Sequence, residues 1–267
     1  MKTPNRILTT LVGSLPRPET VVEQLFAQDS GLDYNEQTFD TLMKAEVLNV
    51  VAKQKASGVD VVSDGEMSKI SYATYIRHRL TGFEIGVMPR ATPKDLDDFP
   101  DFKERLAKLG ATPKYHRPIC TGPIAVKDLS GLHKDINNLK SACQASGVER
   151  GFMNSASPGV IAVFQPNQYY ANHEKYLNAL ADAMATEYEA IVASGLELQI
   201  DAPDLAMGRH IRFRDASDDE FMTAAEQQVE ALNHALRNVP ADRVRIDRKS
   251  TRLNSSHTDI SRMPSSA

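Results

Sequence analysis

Cysteine is scarce: Cys120 and Cys143 are the only two in 267 residues. Two thiols are too few for a disulfide framework, so a reducing, cytoplasmic setting is the default expectation. No apolar run reaches the roughly 18 residues that a membrane span needs. The stretch Met1 to Arg6 leads into a strand-like run instead of a long apolar leader, so secretion is not expected. Excess positive charge is missing too. A formal net charge of -4 leaves no electrostatic footprint for nucleic acid or an anionic membrane surface, and small molecules remain as partners.

What is present is a repeated phrase. Ala56-Ser57-Gly58-Val59-Asp60, Ala145-Ser146-Gly147-Val148-Glu149 and Ala193-Ser194-Gly195-Leu196-Glu197 each follow a helical pattern and precede a strand-like run. Those runs end in polar residues: Ser63-Asp64-Gly65-Glu66, Asn154-Ser155, and Gln199-Ile200-Asp201. The spacing of the copies is irregular, which argues against a solenoid. Helix, tight turn and strand used repeatedly is what a parallel βα architecture needs. With 41% hydrophobic residues the chain fills one large core, so one domain is expected.

In chain order, Ile7 to Val12 reads as a first buried strand, and Gly13-Ser14-Leu15-Pro16-Arg17-Pro18 as the loop leaving it, where two prolines forbid regular pairing. Backbone N–H groups near Gly13 and Ser14 are then open to a ligand. A long helix from about Asn35 to Ser57 leads to the strand ending at Asp64-Gly65-Glu66. Tyr72, Tyr75, Arg77, His78 and Arg79 read as half-exposed positions on a following helix. From Gly82 to Tyr115 periodicity is weak, which suggests an excursion with one short helix near Phe102 to Leu109. His116 to Cys120 reads as a third strand. His116 and Cys120 do not make a metal pair, because on one strand face they stand about 13 Å apart.

A helix from about Leu132 to Ala145 carries Cys143 in its apolar stripe, which marks a core thiol. Asn154 to Gly159 reads as a polar loop with donors for a ligand. Gly195 sits where a left-handed cap would stop the helix through Tyr176 to Val192. Asp201 and Asp204 then fall at the carboxyl end of a buried strand and just beyond, where barrel and open α/β folds bind ligands. Ser217-Asp218-Asp219-Glu220 is a capping box opening the next helix, and Arg243 to Ile246 begins a sixth strand.

Residues 247–267 follow neither period and are rich in Ser, Arg and Thr. This run resembles the conceptual translation of a sequencing adapter, so a non-native, disordered tail is expected there. Residues 1–246 would then be a partial domain interrupted near Ile246.

The phrases Leu11-Val12-Gly13-Ser14-Leu15-Pro16-Arg17-Pro18, Gly58 to Glu66, Cys120-Thr121-Gly122-Pro123 and Leu198-Gln199-Ile200-Asp201-Ala202-Pro203 resemble, in order, the C-terminal catalytic barrel of cobalamin-independent methionine synthase. The single-domain methionine synthase II relatives, which include epoxyalkane:coenzyme M transferase, are more similar still. The resemblance implies an α/β, eight-stranded TIM barrel, represented here by about its first six strands. It also implies a methyltransferase of methionine biosynthesis or related metabolism. In that chemistry zinc binds a small-molecule thiol, and the thiolate takes a methyl or alkyl group from a donor. Substrate contacts would fall on Gly13, Ser14, Glu66 and Asp201; no catalytic residue is assigned.

The chain departs from this pattern at two points. Asp201-Ala202-Pro203 stands where methionine synthases tend to read Asp-Glu-Pro. The first zinc ligands, a His-any-Cys pair, are replaced by Asp247-Arg248-Lys249, and no such pair occurs anywhere in the sequence. No metal ligand is therefore assigned, and an inactive, metal-free chain is expected. The competing classes are a non-catalytic small-molecule-binding barrel and a zinc-free barrel lyase that shares the strand-end carboxylates.

Overall fold

The three Ala-Ser-Gly phrases stop three helices by one device. In the computed structural model, which describes residues 6–32, 34–86, 93–108 and 117–247, Gly58, Gly147 and Gly195 have φ of +79°, +62° and +94°. A Cβ at these positions would meet nothing within 4 Å, so it is the left-handed backbone that calls for glycine. The helices they close are α2 (Glu36–Ala56), α4 (Ser130–Ala145) and α6 (His173–Ala193). Asn35 and Asn172 cap the first turns of α2 and α6, each accepting an N–H three residues on. The other helices are α1 (Glu19–Asp29), α3 (Pro100–Lys108), α5 (Pro158–Phe164), α7 (Asp204–His210) and α8 (Asp218–Ala235). Ser217 and Glu220 form the expected capping box of α8.

Each turn delivers a parallel strand. β3 (Phe152–Ala156), β4 (Glu197–Asp201) and β5 (Val244–Asp247) form one sheet in that order, with Ala156 beside Asp201 and Asp201 beside Asp247. Isolated parallel bridges, Thr10 to Val61 and Val62 to Gly151, extend the series to the first two strand-like runs. Leu198 and Ile200 are fully buried on one face of β4, and alternation puts Gln199 and Asp201 on the other. Helix α6 lies against β3 and β4 with Tyr176, Leu180, Met184 and Tyr188 buried; α5 and α8 pack on it, and α2 packs on α4. Cys143 is buried in this core, as its place in the stripe predicts.

Several expectations are corrected, and others lie outside the described residues. Among the described residues the parallel series is open, so the α/β class stands, while a TIM barrel represented by its first six strands is not confirmed and no closed barrel is seen. The strand expected at His116 to Cys120 is β2 (Arg117–Cys120), and it pairs antiparallel with β1 (Phe83–Gly86) in a separate two-stranded sheet. Its Pro118 lacks the N–H that a central parallel ladder would require. The helix expected near residues 72–79 is one 3-10 turn, Thr74–His78, in which Tyr75 is buried, as is Arg79 just after it. The polar loop expected from Asn154 is instead the end of β3 followed by α5, whose N-cap is Ser157. His116 and residues 248–267 lie outside the described residues. No helix among the described residues is long and apolar enough to cross a membrane.

Asp204 opens α7 fully inside the protein, accepting from the Ser157 hydroxyl at 2.7 Å. Burial pushes its carboxyl from the ordinary 3.8 up to about 6. A native pKa above the unfolded one stabilises most at low pH and loses that advantage as pH rises between about 4 and 6. The Asp204→Asn variant should gain roughly 2.5 kcal/mol relative to wild type between pH 4 and pH 7.5, read from urea unfolding. A difference that stays constant with pH would contradict this.

Candidate active site

The carboxyl ends of the parallel strands gather the polar side chains. After the first strand the chain turns at Gly13, with φ of +90°, and presents Ser14. Beyond the second, Gly65 and Glu66 are successively left-handed, at +65° and +58°. For glutamate that conformation costs roughly 1–2 kcal/mol, so the surroundings must impose it. Asp64 Oδ1 accepts the Glu66 N–H at 2.9 Å, and Leu15 N–H reaches Gly65 O at 3.1 Å. Arg17 spans the turn, donating from Nη2 to Glu66 O at 2.6 Å and Lys69 O at 2.8 Å. Burial lowers the Arg17 pKa, against the pull of Glu66 and Asp64.

The strained turn aims the Glu66 carboxylate at β3. Ser14 Oγ donates to Glu66 Oε2. Asn154 Nδ2 donates to both Glu66 Oε1 at 2.6 Å and Asp201 Oδ2 at 2.8 Å, so one carboxamide nitrogen ties the two carboxylates together. Gln199 Nε2 reaches the other Asp201 oxygen at 3.2 Å. Glu66 is 3% exposed and Asp201 0%, whereas Ser14 is exposed and marks the outer end of the cluster.

Behind β3 lies a second polar layer. Ser155 faces α6 and donates to Glu187 Oε1 at 2.6 Å, as does Tyr75 at the same distance. Arg79 forks between Glu187 at 2.7 Å and Asp135 at 2.6 Å. Burial works to raise the Glu187 pKa, but Arg79 and Lys69 hold it below the usual carboxylate range. A cavity of about 370 Å³ between α2 and α4 is walled by Lys69, Tyr75, Arg79 and Asp135; Ser14, Glu66 and Asp201 are not among its walls.

The thiols stand apart from this cluster. Cys120 Sγ, at the end of β2, donates to Gly122 O at 3.5 Å, and burial raises its pKa. Cys143 lies on α4, its thiol pushed up to about 11 by burial. Among the described residues no group of three or more His, Cys, Asp or Glu side chains is arranged to hold a metal ion.

Of the four residues expected from sequence, Ser14, Glu66 and Asp201 meet in one hydrogen-bonded cluster, and Gly13 shapes the loop that brings Ser14 there. The residue that joins them, Asn154, was legible only as part of a polar stretch. Lys69 was not legible at all, since a lysine beyond a turn reads as solvated surface.

No family model matches the chain. It is 26% identical over 234 residues to methionine synthase of Saccharolobus solfataricus, covering 87% of this chain and 60% of that protein. Against methionine synthase of Sulfolobus acidocaldarius the identity is 23%, with 86% and 58% covered. Among solved structures, a B12-independent methionine synthase of Shewanella sp. W3-18-1 in complex with selenomethionine superposes with a TM-score of 0.62 at 17% identity, over 86% of this chain and 58% of the other. A putative vitamin-B12-independent methionine synthase of Listeria monocytogenes gives 0.59 at 20% identity, over 91% and 67%. The chain thus spans about 60% of the length of the curated relatives it matches, and what it is similar to, in sequence and in fold, is methionine synthase of the B12-independent kind.

Proposed function

We propose that the strand-end cluster binds the amino group of a small α-amino acid thiol or thioether of the homocysteine and methionine type. The observation behind this is the Asn154 bridge: two carboxylates tied to one nitrogen present a pair of acceptors to a cationic amine. The Ser14 hydroxyl and the backbone of the Gly13–Ser14 loop supply donors for the ligand's carboxylate. The relatives' names, and the selenomethionine bound to the Shewanella protein, point the same way. The parallel series with helices packed outside it is read as an arc of an eight-stranded (β/α) barrel, working in the reducing cytoplasm.

In this family zinc would supply a thiolate at neutral pH for attack on a methyl or alkyl donor. The residues of this chain do not fit such a centre. The sequence holds no His-any-Cys pair, and its two thiols are buried away from the cluster, each with its pKa raised. No step is therefore routed through zinc, and the chain as given is proposed to bind the amino acid without transferring a group. A non-catalytic binding role has the same observation in its favour.

Calorimetric titration of residues 1–267 with L-methionine and L-homocysteine tests this. Binding is expected, with Glu66→Gln and Asp201→Asn each weakening it by about tenfold. Metal analysis should find no stoichiometric zinc, and a thiol-methylation assay no turnover. Absence of binding would overturn the site, and zinc with turnover would overturn the proposed inactivity.

A further inference from the structure

Resting on that amino-acid site, we propose that Lys69 is its positioning residue: by holding the oxygen end of the Asn154 side chain, it keeps the nitrogen end between Glu66 and Asp201 and so makes the site select an amine. Lys69 is 1% exposed, and its ammonium contacts Asn154 twice, at 2.5 Å to the backbone oxygen and 3.3 Å to Oδ1. Fully buried lysines are rare unless paired. This one is bonded to the residue that joins the two carboxylates.

A carboxamide has one donor end and one acceptor end, and its orientation follows from the charges it faces. With Lys69 in place, a flipped Asn154 would set Oδ1 against Glu66 and Asp201 and its NH2 against an ammonium. Both contacts are unfavourable. Without Lys69 only the carboxylates bias the amide, and its oxygen has lost that partner.

Lys69 is itself held from behind. Its Nζ lies 4.7 Å from the centroid of Tyr75, and the Arg79 guanidinium lies 4.7 Å from the same ring. The Tyr75 hydroxyl is fixed by Glu187 at 2.6 Å, and Arg79 by Glu187 and Asp135. The second polar layer therefore places the lysine, and the lysine sets the amide.

The experiment compares wild type with Lys69→Met in two readouts. The first needs no ligand: hydrogen exchange of the Asn154 side-chain NH2, followed by NMR, should be slow in wild type and about tenfold or more faster in the variant. The second is the ratio of affinities for L-methionine and its α-hydroxy analogue, which should favour the amine in wild type and fall about tenfold in the variant. A purely structural lysine would weaken both ligands equally and leave the ratio alone. Unchanged Asn154 exchange overturns the inference even if wild type binds neither ligand, a result that would separately refute the amino-acid site. Should Lys69→Met fail to fold, Lys69→Gln, a neutral carboxamide of similar reach, is read in the same two ways.

Discussion

Two carboxylates from different strand ends, Glu66 and Asp201, are bonded to the nitrogen of a single carboxamide, and both are almost fully withdrawn from water. Burying an ionised carboxylate costs several kcal/mol unless hydrogen bonds replace its hydration, and bringing two together adds repulsion. Asn154 offsets part of both costs at once, because its two N–H bonds point to different acids. The rest of the site is arranged around this bridge. Glu66 reaches it only from a left-handed backbone that Arg17 and Asp64 hold in place, and Asp201 reaches it because β4 runs in register beside β3.

Fold and site are joined through β3. Alternation along the strand sends Asn154 towards the carboxylates and Ser155 towards α6, where Glu187 receives it. Glu187 also anchors Tyr75 and Arg79, which packs the 66–79 segment against the sheet without a full helix. A polar layer this deep is stable only when every member is bonded. Its members are therefore constrained as strictly as the apolar residues of α6 beside them.

Much of this was legible in the sequence. The three Ala-Ser-Gly phrases announced left-handed helix ends, because only glycine takes that backbone freely and the strand must follow at once. Asp64-Gly65-Glu66 and Asp201 stood out as acids closing apolar runs. What local pattern hid were contacts set by tertiary structure. Pro118 in the third strand was compatible with a short edge pairing and did not reveal its direction. Tyr75 and Arg79 looked half-exposed because their partners, Glu187 and Asp135, are more than fifty residues away. Lys69 and Asn154 are 85 residues apart and meet only because β3 lies parallel beside the second strand.

The curated relatives are longer than the chain, and the sequence holds no His-any-Cys pair. What the chain is proposed to keep is the amine-side half of the site. The most direct measurement of that claim is a crystal structure of residues 1–267 with L-methionine. The ligand's amino nitrogen should lie within about 2.7–3.2 Å of one oxygen of Glu66 and one of Asp201. Methionine seated elsewhere, or with its carboxylate against Asn154 and its amine turned away from both acids, would contradict it.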